Sequence, residues 1–180
     1  MINLIAKILA PLLLLLYGTA AYATSYDVSW SADGGWQDLG GTITYSDGKY
    51  TITANQGLAI NPPTVNASSG ELRVYANGTL TVASTDSTPI RNIQFTLSPQ
   101  GIRRLSEMIA DTGSLSYDTV NWTVSWSGDA SSVKITVGDK ATLGTDGAAK
   151  AGQFCILSPV RIDGESTGGG TTIKPSDVIS

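Results

Sequence analysis

Strict alternation of apolar and polar residues, broken at short intervals by turn chemistry, constrains this chain more than any other feature. Tyr26, Val28 and Trp30 alternate with Asp27 and Ser29, and Ile43 and Tyr45 with Thr42 and Thr44. Tyr50, Ile52 and Ala54 resume the pattern after Ser46-Asp47-Gly48, where Gly48 tolerates the positive φ of a tight hairpin. Leu72 and Val74 oppose Glu71, Arg73 and Tyr75, and Asn77-Gly78 is a turn signal leading into Leu80 and Val82. Further runs are Ile93, Phe95 and Leu97; Val120, Trp122, Val124 and Trp126; and Val133, Ile135 and Val137, with Phe154 to Leu157 and Val160 to Ile162 closing the set. Side chains on a strand point alternately to its two faces, so each run buries one face and wets the other. Many such strands with close turns predict an all-β fold, an antiparallel jelly-roll-like β-sandwich. One segment departs from the alternation. Ser98 as cap and Pro99 at the first helical position predict a short helical turn near Pro99–Arg104, against the preference of Gly101, followed by an extended stretch through Met108 and Ala110.

The chain divides into three parts. Lys7 precedes an apolar run from Ile8 to Leu16, and Ala21-Tyr22-Ala23 has the small-x-small form of a signal-peptidase site. The run is well short of the roughly 20 residues that span a bilayer. Residues 1–23 therefore read as a secretory signal cut between Ala23 and Thr24, residues 24–165 as the sandwich domain, and residues 166–180 as a Gly/Thr-rich flexible tail or linker. This places the mature chain outside the cytoplasm, as a secreted, periplasmic or cell-surface protein with no integral membrane span.

Composition removes several chemistries. With no His, neither a Ser-His-Asp nor a Cys-His arrangement can form, and one Cys cannot make an internal disulfide. Cys155 between Phe154 and Ile156 reads as a buried thiol. A net charge of −4 disfavours nucleic acid as a partner, and the single basic pair, Arg103-Arg104, reads as a solvated turn. Only three Glu are present and most Asp sit in turns, so no glycosidase-type carboxylate pair is singled out. Asn66, Asn77 and Asn121 begin N-glycosylation-type triplets, of the kind a Thr/Ser-rich chain contains by chance.

Two regions stand out as candidate sites. Trp36 lies in the polar Gly-rich segment Asp33 to Asp38, where an exposed aromatic beside Asp38 would suit the apolar face of a sugar ring; the alternative is a Trp folded over the sandwich end. Tyr75 shares a strand face with Arg73 and is expected at the surface. Gly138 to Gly152 is a long loop that presents Lys140, Asp146 and Lys150 as ligand contacts, unless it is purely structural. Asp139 and Asp146 offer oxygens to Ca²⁺, without EF-hand spacing and with two lysines close by. No other cofactor is implied.

Trp126 to Gly138, Lys140-Ala141, Gly144 to Gly147 and Lys150 to Phe154, with Ile90 to Gly101 and Thr112-Gly113, resemble β-sandwich modules of secreted proteins from gut Bacteroidota. The resemblance covers Thr42 to Asp163. It implies a secreted or cell-surface jelly-roll-like module, joined to neighbours through Gly/Thr/Pro linkers such as the tail resembles, and it carries no catalytic residues across. It also implies that Asp86-Ser87-Thr88 and Asp118-Thr119-Val120 have the form of O-glycosylation triplets.

The reading that follows is a non-catalytic binding module, with glycans as its first candidate ligand and a surface protein as the other. The alternatives are a structural or adhesive surface subunit or spacer, and a carbohydrate-active enzyme.

Overall fold

A computed structural model describes residues 23–32 and 34–165. The signal-peptide reading up to Tyr22, Ala21 included, and the tail of residues 166–180 lie outside the described residues, as does Asp33.

Thirteen strands and one short helix make up the described residues. The first sheet has seven strands. Its path runs β10 (Ser114–Asp118), β11 (Thr123–Ala130), β8 (Ile90–Leu97), β13 (Gln153–Glu165), β6 (Leu72–Tyr75) and β5 (Thr64–Val65), with β1 (Ala23–Val28) paired to β13. The second has six, in the order β2 (Gln37–Asp38), β3 (Thr42–Ser46), β4 (Tyr50–Asn55), β7 (Thr79–Ser84), β12 (Ser132–Thr136) and β9 (Ile109–Ala110). Every pairing is antiparallel. The all-β sandwich expected from the alternation is what forms.

Strand β13 is the spine of the first sheet. Its 13 residues pair with β8 on one side and, on the other, with β6 over Gln153 to Ile156 and with β1 from Val160 onward. The two apolar runs expected there are thus one strand, with a register shift between Leu157 and Arg161. The inward residues of both sheets form one core that includes Ile52, Leu80, Phe95, Trp126, Ile135 and Phe154.

The alternation overreaches at Val120 and Trp122. Both lie in a turn before β11, with Val120 exposed and Trp122 at φ 54°, so only Val124 and Trp126 of that run point inward on a strand. Asp118 sets the turn, because its carboxylate accepts the amides of Val120 and Asn121, both at 2.9 Å.

The helical turn forms where Ser98 and Pro99 predict it. Helix α1 (Pro99–Arg104) is capped by Ser98 Oγ, which accepts the Gly101 amide at 3.0 Å. Gly101 is required, not merely tolerated: a Cβ there would collide with the Cys155 carbonyl oxygen of β13. The glycine lets the helix lie directly against the β13 backbone.

Residues 138–152 form an ordered cap on this helix. The orphan carbonyls at a helix C-terminus need donors. Here the amides of Thr145 and Asp146 bond the carbonyls of Ile102 and Arg103, and those of Leu143 and Gly144 bond Leu105. Arg103 and Arg104 are not a solvated turn. Both reach Asp146, at 3.2 and 2.8 Å, and tie the loop to the helix.

Candidate binding site

Tyr75 ends β6 on the outer face of the first sheet, since Leu72 and Val74 take the inner face. Its register partner on β13 is Gln153, whose side chain emerges beside it. Gln153 Oε1 accepts a hydrogen bond from Gln100 Nε2 of α1 at 3.1 Å, which commits the amide oxygen and leaves the NH₂ group as the donor. Beyond these strands lies a half-open cavity of about 170 Å³ lined by Tyr75. Leu58 and Ile60 line one part of it, and Asn61, Asn77 and Asp139 bring amide and carboxylate groups to it.

The Leu58–Ile60 segment is built rigidly. Asn55 Oδ1 accepts the Gly57 amide at 2.7 Å, and Leu58 N–H donates to the Asn77 carbonyl at 3.1 Å. Gln56 Nε2 donates to the carbonyls of Ala59 and Ile60, at 3.0 and 3.3 Å. Gly57 sits at φ 53° with the Asn77 carbonyl oxygen 2.8 Å from where a Cβ would be, so no other residue fits without strain. Between these fixed points Leu58 and Ile60 remain 89% and 94% exposed. Two large apolar side chains are thus held out to water on an ordered loop.

Of the residues singled out in the sequence, the structure brings Tyr75 to the Gly138 to Gly152 loop, through Asp139, Ala151 and Gly152. The others lie elsewhere or are committed. Trp36 does not stand out from the surface. Its ring packs edge-on against Trp30 at 5.4 Å and against Tyr45 at 5.5 Å, folded over the sandwich as the alternative reading has it. Trp36 Nε1 is buried without a hydrogen-bond partner. Asp38 accepts the Gly40 amide at 2.9 Å and serves its own turn. Asp146 is held by two guanidiniums; burial works against its charged form, yet the hydrogen bonds from Arg103 and Arg104 keep the carboxyl below its ordinary value. Lys140 is exposed and lies 3.6 Å from Asp139, while Lys150 is exposed at the end of the cap. The two carboxylates considered for Ca²⁺ therefore each face a cationic side chain, and among the described residues no group of three His, Cys, Asp or Glu could hold a metal.

Leu58, Ile60, Asn61, Asn77 and Gln153 were not legible as site residues. The available signal was Gln56-Gly57-Leu58-Ala59-Ile60-Asn61-Pro62, in which two aliphatic residues sit among turn residues, outside any strand register. Asn77 has φ 68° and reads as a turn residue alone.

A second, wider concavity of about 630 Å³ opens between the edge strands β9 and β10. Met108, Ile109, Leu115 and Tyr117 line it, and Tyr117 Oη accepts the Met108 amide at 2.7 Å. Among the described residues no helix is long and apolar enough to cross a membrane. No family model matches the chain, and no curated protein matches it significantly.

Proposed function

We propose that this protein is a non-catalytic binding module that works outside the cytoplasm and takes a glycan at the Tyr75 cavity. The supporting observation is that cavity, whose lining combines one tyrosine, two exposed aliphatic side chains on a rigid loop, three amide residues and one carboxylate residue. Sugars present apolar C–H faces and outward hydroxyls, and this mixture of surfaces answers both. Export rests on the Lys7 to Ala23 signal, and cleavage after Ala23 would leave Thr24 to Val28 of β1 in place for pairing with β13. The test is a glycan array with wild type, Tyr75→Ala and Trp36→Ala. Wild type and Trp36→Ala should bind the same glycans, and Tyr75→Ala should lose them. Binding that survives Tyr75→Ala and fails in a folded Trp36→Ala would return the site to the other end of the sandwich.

The alternative is a structural or adhesive subunit. It is favoured by β9 and β10, which stand at the ends of their sheets among the described residues, with Ile109 exposed beside an open groove. Light scattering at high protein concentration separates the two: a strict monomer supports the binding module, and concentration-dependent assembly abolished by Ile109→Lys supports the subunit.

A further inference from the structure

The site's dimensions and charge narrow what it can take. Sites for drug-sized ligands run to roughly 300–1,000 Å³. At about 170 Å³ this cavity is smaller than that class, and it admits one sugar ring rather than a run of them. Chain borders it on three sides, through the Leu58–Ile60 loop, the Asn77 turn and the Asp139–Gly152 stem of the cap, and Leu58 and Ile60 stand exposed at its mouth. A polysaccharide lying along a flat strand face needs an open trough. A pocket walled in this way receives the end of a chain.

Charge sets the second limit. Asp139 is the one formally charged group among the lining residues. Lys140 Nζ stands 3.6 Å from Asp139 Oδ2, which sets that ammonium against Asp139 rather than against a ligand and leaves Oδ1 as the acceptor. A carboxylate accepts hydrogen bonds from hydroxyls and repels a second anion. The other polar side chains of the lining are neutral: Gln153, whose NH₂ is left over from the bond to Gln100, Asn61, Asn77 and the Tyr75 phenol. Nothing in the lining compensates a ligand carboxylate or sulfate.

On the reading that the Tyr75 cavity is a glycan site, we propose that its ligand is a single terminal pyranose that carries no charge, with Tyr75, Leu58 and Ile60 against the ring and Asp139 accepting from its hydroxyls. Asp139 is then the residue that excludes uronic and sulfated sugars.

The experiment is an NMR titration of the full mature protein, following backbone amides. The probes are the methyl glycosides of glucose, galactose, mannose and N-acetylglucosamine, the methyl glucuronide, and a neutral oligosaccharide blocked at its non-reducing end. At least one neutral glycoside should move the amides of Tyr75, Asn77 and Gln153, while the glucuronide and the end-blocked chain should leave them in place. Tyr75→Ala should weaken the neutral glycoside about tenfold or more, the loss expected when an aromatic contact of roughly 1.4 kcal/mol goes. Asp139→Asn keeps the shape and removes the charge, so the glucuronide should begin to bind, an effect that general loosening would not produce. Glucuronide binding to wild type equal to that of glucoside, or an end-blocked chain binding as tightly as a free end, would overturn this assignment and leave the glycan site standing. If no saccharide of any kind moves these amides, the glycan site falls with it.

Discussion

Gly101 shows how one position can run against local preference and still be fixed. Within a helix, alanine is favoured over glycine by about 0.8–1 kcal/mol. On propensity alone Gly101→Ala would therefore stabilise α1. The Cys155 carbonyl decides the sign, because the added methyl would overlap it and β13 is the spine of the first sheet, unable to yield. Overpacking a tight contact costs about 1–3 kcal/mol. Gly101→Ala is expected to lower stability by a net of up to about 2 kcal/mol, read as a fall in the urea midpoint with an unchanged slope. A rise in the midpoint would show that the helix floats free of the sheet. Gly57 and Gly144 follow the same logic, each lying against a backbone carbonyl that leaves no room for a side chain.

At the scale of elements, the helix and residues 138–152 depend on one another. A helix of six residues is too short to hold itself together in water. Its carbonyls are satisfied by loop amides, and the loop is held by the two arginines on Asp146. Arg104 is 22% exposed and Arg103 58%, so the Arg104 arm is less screened and matters more. Asp146→Ala is expected to speed hydrogen exchange at the amides of Leu143 to Asp146 by about tenfold or more, as local opening becomes easier. Arg104→Ala should do the same more strongly than Arg103→Ala. Equal effects from the two arginines, or none, would mean that the backbone bonds alone hold the cap. The clamp also bears on the binding site, since Asp139 and Gly152 are the stem of the same loop and both line the Tyr75 cavity.

For the whole molecule, the alternating runs named the sandwich because inward residues of a two-layer fold must recur at every second position. Strands β3, β4, β7, β8 and β12 are legible in this way. Strand β10 is not, because Leu115 and Tyr117 are spaced among serines and only half-buried at an edge. The site was legible only through Tyr75 and the long loop, because the rest of it comes from turn residues whose convergence depends on long-range pairing of β6 with β13. Composition, in contrast, speaks directly to how the assembled molecule responds to pH. With no histidine there is no imidazole to titrate near neutrality, so stability should stay nearly level from about pH 5 to 8. At the acid end, Asp86 is held down to about 2 by hydrogen bonds from Ser84 and Thr88, and Asp118 is lowered by those from Asn121 and Val120. Their contribution is present above the ordinary carboxylate value of 3.8 and is lost as pH falls below it. At the alkaline end, burial pushes the Cys155 thiol up to about 12, and burial also raises the phenols of Tyr50 and Tyr117. In the unfolded chain the thiol ionises near 9.0 and the phenols near 10.0. Above pH 9 the unfolded state therefore binds fewer protons than the folded one, and stability must fall as pH rises, at up to about 1.4 kcal/mol per pH unit for each such group. Urea midpoints measured at pH 8, 9, 10 and 10.5 should show this decline setting in near pH 9. Cys155→Ala should start lower, having lost a buried side chain, yet decline less between pH 9 and 10, because only the thiol titrates in that interval ahead of the phenols. A wild-type curve parallel to that of Cys155→Ala would place the alkaline sensitivity in the tyrosines alone.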